Sequence, residues 1–126
     1  MRDNGDQWPS ELRLRENGRI LSVRFESGDA YDLSAEYLRV MSPSAEVQGH
    51  RREERLIIGG KRHCSVTGIE PVGTYAVRLI FDDLHSTGIF TWDYLHELGS
   101  HHDEKWAVYE AELETKGLSR DRTGQA

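Results

Sequence analysis

The 126-residue sequence predicts an α+β domain: short antiparallel strands, in two small sheets or one strongly bent sheet, covered by C-terminal helices. Three observations carry this expectation. Short runs of alternating apolar and polar residues recur up to Phe90, with turn residues between them. From Thr91 onward the apolar spacing becomes helical. A chain of this length also holds one ordinary domain and not two.

Residues 1–8, MRDNGDQW, are polar and are expected to be disordered, as is the tail 117–126, which leaves 9–116 as the single domain. "SELRLRENGRILSVRF" reads as a hairpin. Leu12 and Leu14 alternate with charged residues, and Leu21, Val23 and Phe25 alternate with Ser22 and Arg24. Asn17-Gly18 between them suits a tight two-residue turn, because both residues tolerate positive φ. A turn at Ser27-Gly28-Asp29 leads to a short strand at Ala30–Leu33. In "LSAEYLRVMSP" the period changes. Ser34 is an N-cap, Tyr37, Leu38 and Met41 fall at helical spacing, and Pro43 stops the helix near Met41 by restricting the residue before it. Charged residues dominate 49–63, with a short apolar strand, Leu56–Ile58, inside.

"CSVTGIEPVG" reads as a strand beginning at Cys64. "TYAVRLIF" follows with Tyr75, Val77, Leu79 and Phe81 on one face, and "STGIF" returns. Thr91 caps a helix with the stripe Trp92, Leu95 and Leu98, ended by Gly99. Trp106, Tyr109 and Leu113 stripe a second helix closed by Gly117. The expected core packs Trp92, Leu95, Leu98, Trp106 and Tyr109 on Val23, Phe25, Tyr75, Val77, Leu79 and Phe81, which is enough apolar surface to stabilise one domain without a metal.

Composition narrows the function classes. Hydrophobic residues make up 37% and charged residues 30%, and 16 basic against 22 acidic side chains give a net charge of −6. That balance argues against nucleic-acid binding. No apolar run approaches the roughly 18 residues of a membrane span, and the N-terminus lacks the apolar core of a signal peptide. A cytoplasmic protein is expected. Cys64 is the only cysteine, so neither an internal disulfide nor a cysteine-rich zinc site can form within one chain.

Few clusters point to chemistry. "FDDLHSTGIF" puts Asp82, Asp83 and His85 at a hairpin tip, and carboxylates with a neutral imidazole are ligands for Zn or Fe. Adjacent strand residues point to opposite faces, however, and aspartates also initiate turns by bonding backbone amides, so the turn reading is the favoured one. His96, His101 and His102 lack the i, i+4 spacing of helical metal pairs. His63-Cys64 would be reactive only as a thiolate. A lone cysteine is more often a small buried hydrophobe, with a cluster shared between two chains as the other reading. Arg51, Arg52, Arg55, Lys61 and Arg62 form a basic cluster able to take a phosphate or an acidic partner, although Glu53 and Glu54 are interleaved with it. "GGKR" is not a phosphate-binding P-loop, since Arg62 stands where Ser or Thr is needed. No nucleophile elbow of the G-x-S-x-G type occurs, and no catalytic residue is assigned.

"PSELRL", "YDLSAEYLRVMSPSAEVQGH" and "IEPVGTYAVRLIFDDLHSTGIFTWDYLHELG" occur in an order and spacing that resemble the gamma-butyrobetaine hydroxylase N-terminal-like domains, a family that includes small bacterial proteins of unknown function. The resemblance covers residues 9–99. In the hydroxylases it implies a structural zinc held by three cysteines and a histidine. On that pattern the cysteine positions fall at Ser42, Ser44 and Val47, and the histidine position at His85. A hydroxyl and a valine cannot replace soft anionic sulfur, so these are vestigial zinc-ligand positions. Leu84 stands where the short-protein branch often has glycine. Oxygenase activity belongs to a separate, longer domain and does not transfer with the fold. Similar domains attached to P-loop iron–sulfur carrier ATPases imply an accessory role in iron–sulfur protein maturation, by association.

The sequence therefore predicts a noncatalytic binding or adaptor domain with a protein partner and no resident cofactor. The competing expectation is a Zn- or Fe-binding protein using Asp82, Asp83 and His85. The sequence names neither the partner nor the oligomeric state.

Overall fold

A computed structural model of the chain describes residues 8–43, 60–83 and 88–120. The expected strand Leu56–Ile58 lies outside them. Two three-stranded antiparallel sheets are followed by helices, so of the two predicted arrangements the chain adopts two separate sheets.

The first sheet has the order β1 (Pro9–Arg15), β2 (Ile20–Phe25), β3 (Ala30–Ser34). Its central strand β2 buries Leu21, Val23 and Phe25, as the two-residue period requires. Arg15 pairs with Ile20, so the β1–β2 connection is four residues long and not the predicted two. Glu16, Asn17 and Gly18 all take positive φ there, and the Gly18 amide donates to the Arg15 carbonyl at 3.0 Å. The longer loop serves the second sheet: the Gly18 carbonyl accepts from the Val66 amide at 2.7 Å.

The second sheet has the order β4 (Val66–Val72), β5 (Ala76–Phe81), β6 (Ile89–Thr91). Pro71 is tolerated because β4 is an edge strand. Cys64 precedes β4 and does not begin it. The β5 face buries Val77, Leu79 and Phe81, but Tyr75 sits in the preceding turn, 55% exposed, and is not part of the core. The turn takes it out of the alternation on which the prediction relied.

Helix α1 (Ala35–Val40) is capped as predicted: the Ser34 hydroxyl accepts from the Tyr37 amide at 3.0 Å, and the C-cap is Met41. Thr91 likewise caps α2 (Trp92–Ser100). Gly99 does not end α2, which continues through Ser100 to its C-cap His101. A Cβ at Gly99 would run into the Tyr31 ring, so this glycine allows close packing of α2 on β3 and is no stop signal. Helix α3 (His102–Lys116) ends at Gly117 in the left-handed conformation, as predicted.

One core cluster joins both sheets and all three helices. Trp92 and Trp106 pack against it only in part. The α1–α2 contact is fixed by two phenols: Tyr37 donates to the Leu98 carbonyl at 2.7 Å and Tyr94 to the Met41 carbonyl at 2.6 Å. Residues 117–120, expected to belong to a loose tail, are held in place. The Gly60 and Arg62 amides donate to the carbonyls of Ser119 and Arg120, at 2.8 and 3.0 Å. The described helices include none long and apolar enough to cross a membrane.

Candidate functional site

Of the predicted site residues, those described are Ser42 after α1, Lys61 and Arg62 in the segment before β4, and Asp82 and Asp83 after β5. The two aspartates at the hairpin tip have different environments. Asp83 accepts from Arg39 Nε at 2.9 Å and also pairs with Lys61 Nζ, and its side chain is 24% exposed. Asp82 is exposed, and its amide donates to the Ser65 carbonyl at 2.9 Å. Asp83 thus accepts from two cations at once and holds the hairpin to α1. A carboxylate used this way is a structural anchor, not a waiting metal ligand. Arg39 is itself buried, and its Nη1 has no hydrogen-bond partner among the described residues.

His85, Ser44, Val47, Arg51, Arg52 and Arg55 lie outside the described residues. Ser42 is fully buried at the end of α1, and a Cβ added at Gly88 would collide with its hydroxyl oxygen. The segment entering the hairpin's return strand therefore packs directly on Ser42, the first position that the resemblance assigns to a cysteine. A buried neutral hydroxyl packed against backbone does not supply the anionic sulfur of a structural zinc site. The donor set does not fit the zinc implied by the resemblance. Among the described residues, no group of three or more His, Cys, Asp and Glu side chains could hold a metal. His96 instead meets Asp29 at 2.8 Å, His101 meets Glu104 and His102 meets Asp103.

Cys64 is buried, and its thiol is pushed up to about 12, first by burial and then by Asp82, Asp83 and Glu36, against the opposing effect of Lys61. Such a thiol is inert, and it is poorly suited to a cluster shared between chains, which needs thiolate. At pH 8 the folded protein is expected to react with iodoacetamide at least about tenfold more slowly than the denatured chain. The folded thiol holds its proton more tightly than the unfolded one. Its contribution to stability is therefore complete below the ordinary value of 9.0 and is lost as pH rises toward about 12, which urea titration across that range would register.

Beside Cys64 lies a pocket of about 260 Å³ that sequence reasoning missed, apart from Arg62. Arg19, Arg62, Arg120, Trp106 and Ser34 line it, with Glu36. Glu36 is only 5% exposed and takes a two-pronged pair from Arg120, with both N–O distances 2.7 Å. This pair holds the Arg120 charge more firmly than usual, and the same guanidinium lies 5.2 Å from the Trp106 ring centre. A buried Glu36 and a buried Arg39 each demand a partner, which is the signal available in the sequence. It was hidden because all six residues of α1 are buried, so the helix has no polar face to betray them.

The family model "Gamma-butyrobetaine hydroxylase-like, N-terminal" matches residues 12–96. Two similar solved structures, both determined by NMR, have a TM-score of 0.79 each. One is 45% identical and covers 96% of this chain and 98% of its own; the other is 37% identical and covers 100% and 98%. A crystal structure from Acidithiobacillus ferrooxidans, described as a protein with unknown function of the DUF971 family, is 41% identical, covers 77% of this chain and 97% of its own, and has a TM-score of 0.62. No curated protein matches. The fold and these matches define a small two-sheet α+β domain, and the chain belongs to the gamma-butyrobetaine hydroxylase-like N-terminal domain family.

Proposed function

We propose that this chain is a noncatalytic binding domain that docks a protein partner through the end carrying Asp82 and the basic residues at 61–62. The observation that carries the reading is the fixed placement of those basic residues. Backbone bonds from Gly60 and Arg62 to Ser119 and Arg120 tie this segment to the folded domain, and Arg62 opens onto a pocket shared with two further arginines. Side chains held on a backbone tied in this way present their charges in a set geometry, and fixed charges favour selective docking over nonspecific attraction. The relative from Acidithiobacillus ferrooxidans supports a bacterial setting. Service to iron–sulfur protein maturation or to oxygenase systems, in the cytoplasm, rests on the family resemblance.

The test reverses charge where the fold is not affected. Asp82 and Arg62 are both exposed. A variant combining Asp82→Lys and Arg62→Glu is expected to keep its unfolding midpoint and to lose, by at least about tenfold, the proteins that the unaltered chain retains from cell extract. Equal retention by both chains would remove these surfaces from the reading.

A further inference from the structure

We infer that the outer edge of β1 is a self-association surface, which pairs antiparallel with β1 of a second copy of this chain about Leu12. This edge shares no residue with the docking surface at Asp82 and Arg62.

β1 lies at the edge of the first sheet, with β2 on one side and, among the described residues, no strand on the other. The hydrogen bonds around β2 show which way each backbone group points. The Phe25 amide donates to the Asp29 carbonyl and the Ala35 amide donates to the Arg19 carbonyl, both at 2.8 Å and both on the β3 side. The Glu26 amide donates to the Trp8 carbonyl at 2.8 Å, on the β1 side. Alternation therefore turns Ser22 and Arg24 toward β1, where they pair with Arg13 and Glu11. Leu12 and Leu14 are left with their amides and carbonyls facing outward. Such an edge is a template that another strand can extend.

The side chains select a second copy as that strand. Glu11 and Arg13 flank Leu12 on the solvent face, and their side chains are 48% and 66% exposed. Antiparallel pairing about Leu12 sets Glu11 opposite the second copy's Arg13, and the twofold axis repeats the pair. These are positions without ladder hydrogen bonds, where facing side chains come closest and opposite charges attract. Centring the pair on Arg13 would set two arginines face to face, and centring it on Leu14 would set Arg13 against Arg15. Charge thus favours the register about Leu12. Within one chain Glu11 meets Arg13 at 3.5 Å and Arg24 at 4.0 Å. Both contacts are exposed and weak, so they leave Glu11 able to take a partner across the junction. Leu12 and Leu14 pack on the core only in part, and their counterparts in the second copy would extend that apolar face. The regular edge is short, because a register shift lies between Pro9 and Glu11. A contact of this length is expected to bury less than the roughly 1,200 Å² of stable interfaces, which makes the dimer weak and concentration-dependent.

Sedimentation equilibrium from about 10 μM to about 1 mM spans the range of a weak dimer. The parent chain is expected to move from monomer toward dimer as concentration rises, and the Leu12 amide to become protected from hydrogen exchange in step. Glu11→Arg and Arg13→Glu are each expected to raise the dissociation constant at least about tenfold, because each sets like charges across the junction. Both sites are exposed, so the unfolding midpoints of the variants should stay at the parent value. An equimolar mixture of the two variants is expected to regain association, since arginine then faces glutamate at both pairs. Damage to the fold would not be reversed by mixing. A monomer at every concentration, association that either single reversal leaves unchanged, a Leu12 amide that exchanges at one rate throughout, or a mixture no more associated than its components would each overturn the inference.

Discussion

Gly18→Ala is expected to destabilise the domain by about 3 kcal/mol, combining left-handed backbone strain with overpacking. Gly18 has φ +85°, and a Cβ there would strike the carbonyl oxygen of Val66. That atom is backbone and cannot swing aside, and the Gly18 carbonyl must stay close to accept from the Val66 amide. The substitution therefore attacks the junction of the two sheets. Gly28 is the matched control. It also has positive φ, +102°, but nothing lies within 4 Å of its would-be Cβ. Gly28→Ala should cost only the conformational penalty, about 1 kcal/mol. Urea unfolding with an unchanged slope would measure both. Equal losses at the two sites would show that the β1–β2 turn does not support the second sheet.

Asp83→Ala is expected to cost about 2 kcal/mol, below the 3–5 kcal/mol typical of breaking a fully buried pair because the Asp83 side chain is partly exposed. It would strip the buried Arg39 of its carboxylate partner and leave it close to Lys61. Asp82→Ala, one residue away, should stay within about 0.5 kcal/mol, as surface substitutions usually do. The contrast separates a turn anchor from a metal site. If the two aspartates served an ion, chelator would lower the unfolding midpoint of the parent chain and both substitutions would weaken that response. The ion-pair account expects the same Asp83 loss with and without chelator.

The sequence made the helices and the central strands legible because their signals are local. Ser34 and Thr91 cap their helices through their own hydroxyls, and Gly117 closes the last helix through its own φ. Leu21, Val23 and Phe25, like Val77, Leu79 and Phe81, follow the period of a half-buried strand. Where local and tertiary demands compete, the pattern misleads. Gly99 looks like a stop signal but lies within a helix because the Tyr31 ring needs its space. Asn17-Gly18 looks like a two-residue turn, but the turn is longer and reaches Val66.

The candidate site divides in the same way. From Asp82-Asp83 alone, the sequence could show a polar hairpin tip and not which aspartate carries the structural charge. That depends on Arg39 and Lys61, 44 and 22 residues away along the chain. The basic character of residues 51–62 was plain from composition, but the pocket is completed by Arg19 and Arg120 from opposite ends of the chain, with Glu36 from a fully buried helix. By itself, then, the sequence determined the class of fold, the caps and the strand periods, since each depends on neighbouring residues or on residue type. Only the tertiary structure decided which charges meet, because ion pairs and packing contacts between distant segments leave no period in the sequence to read.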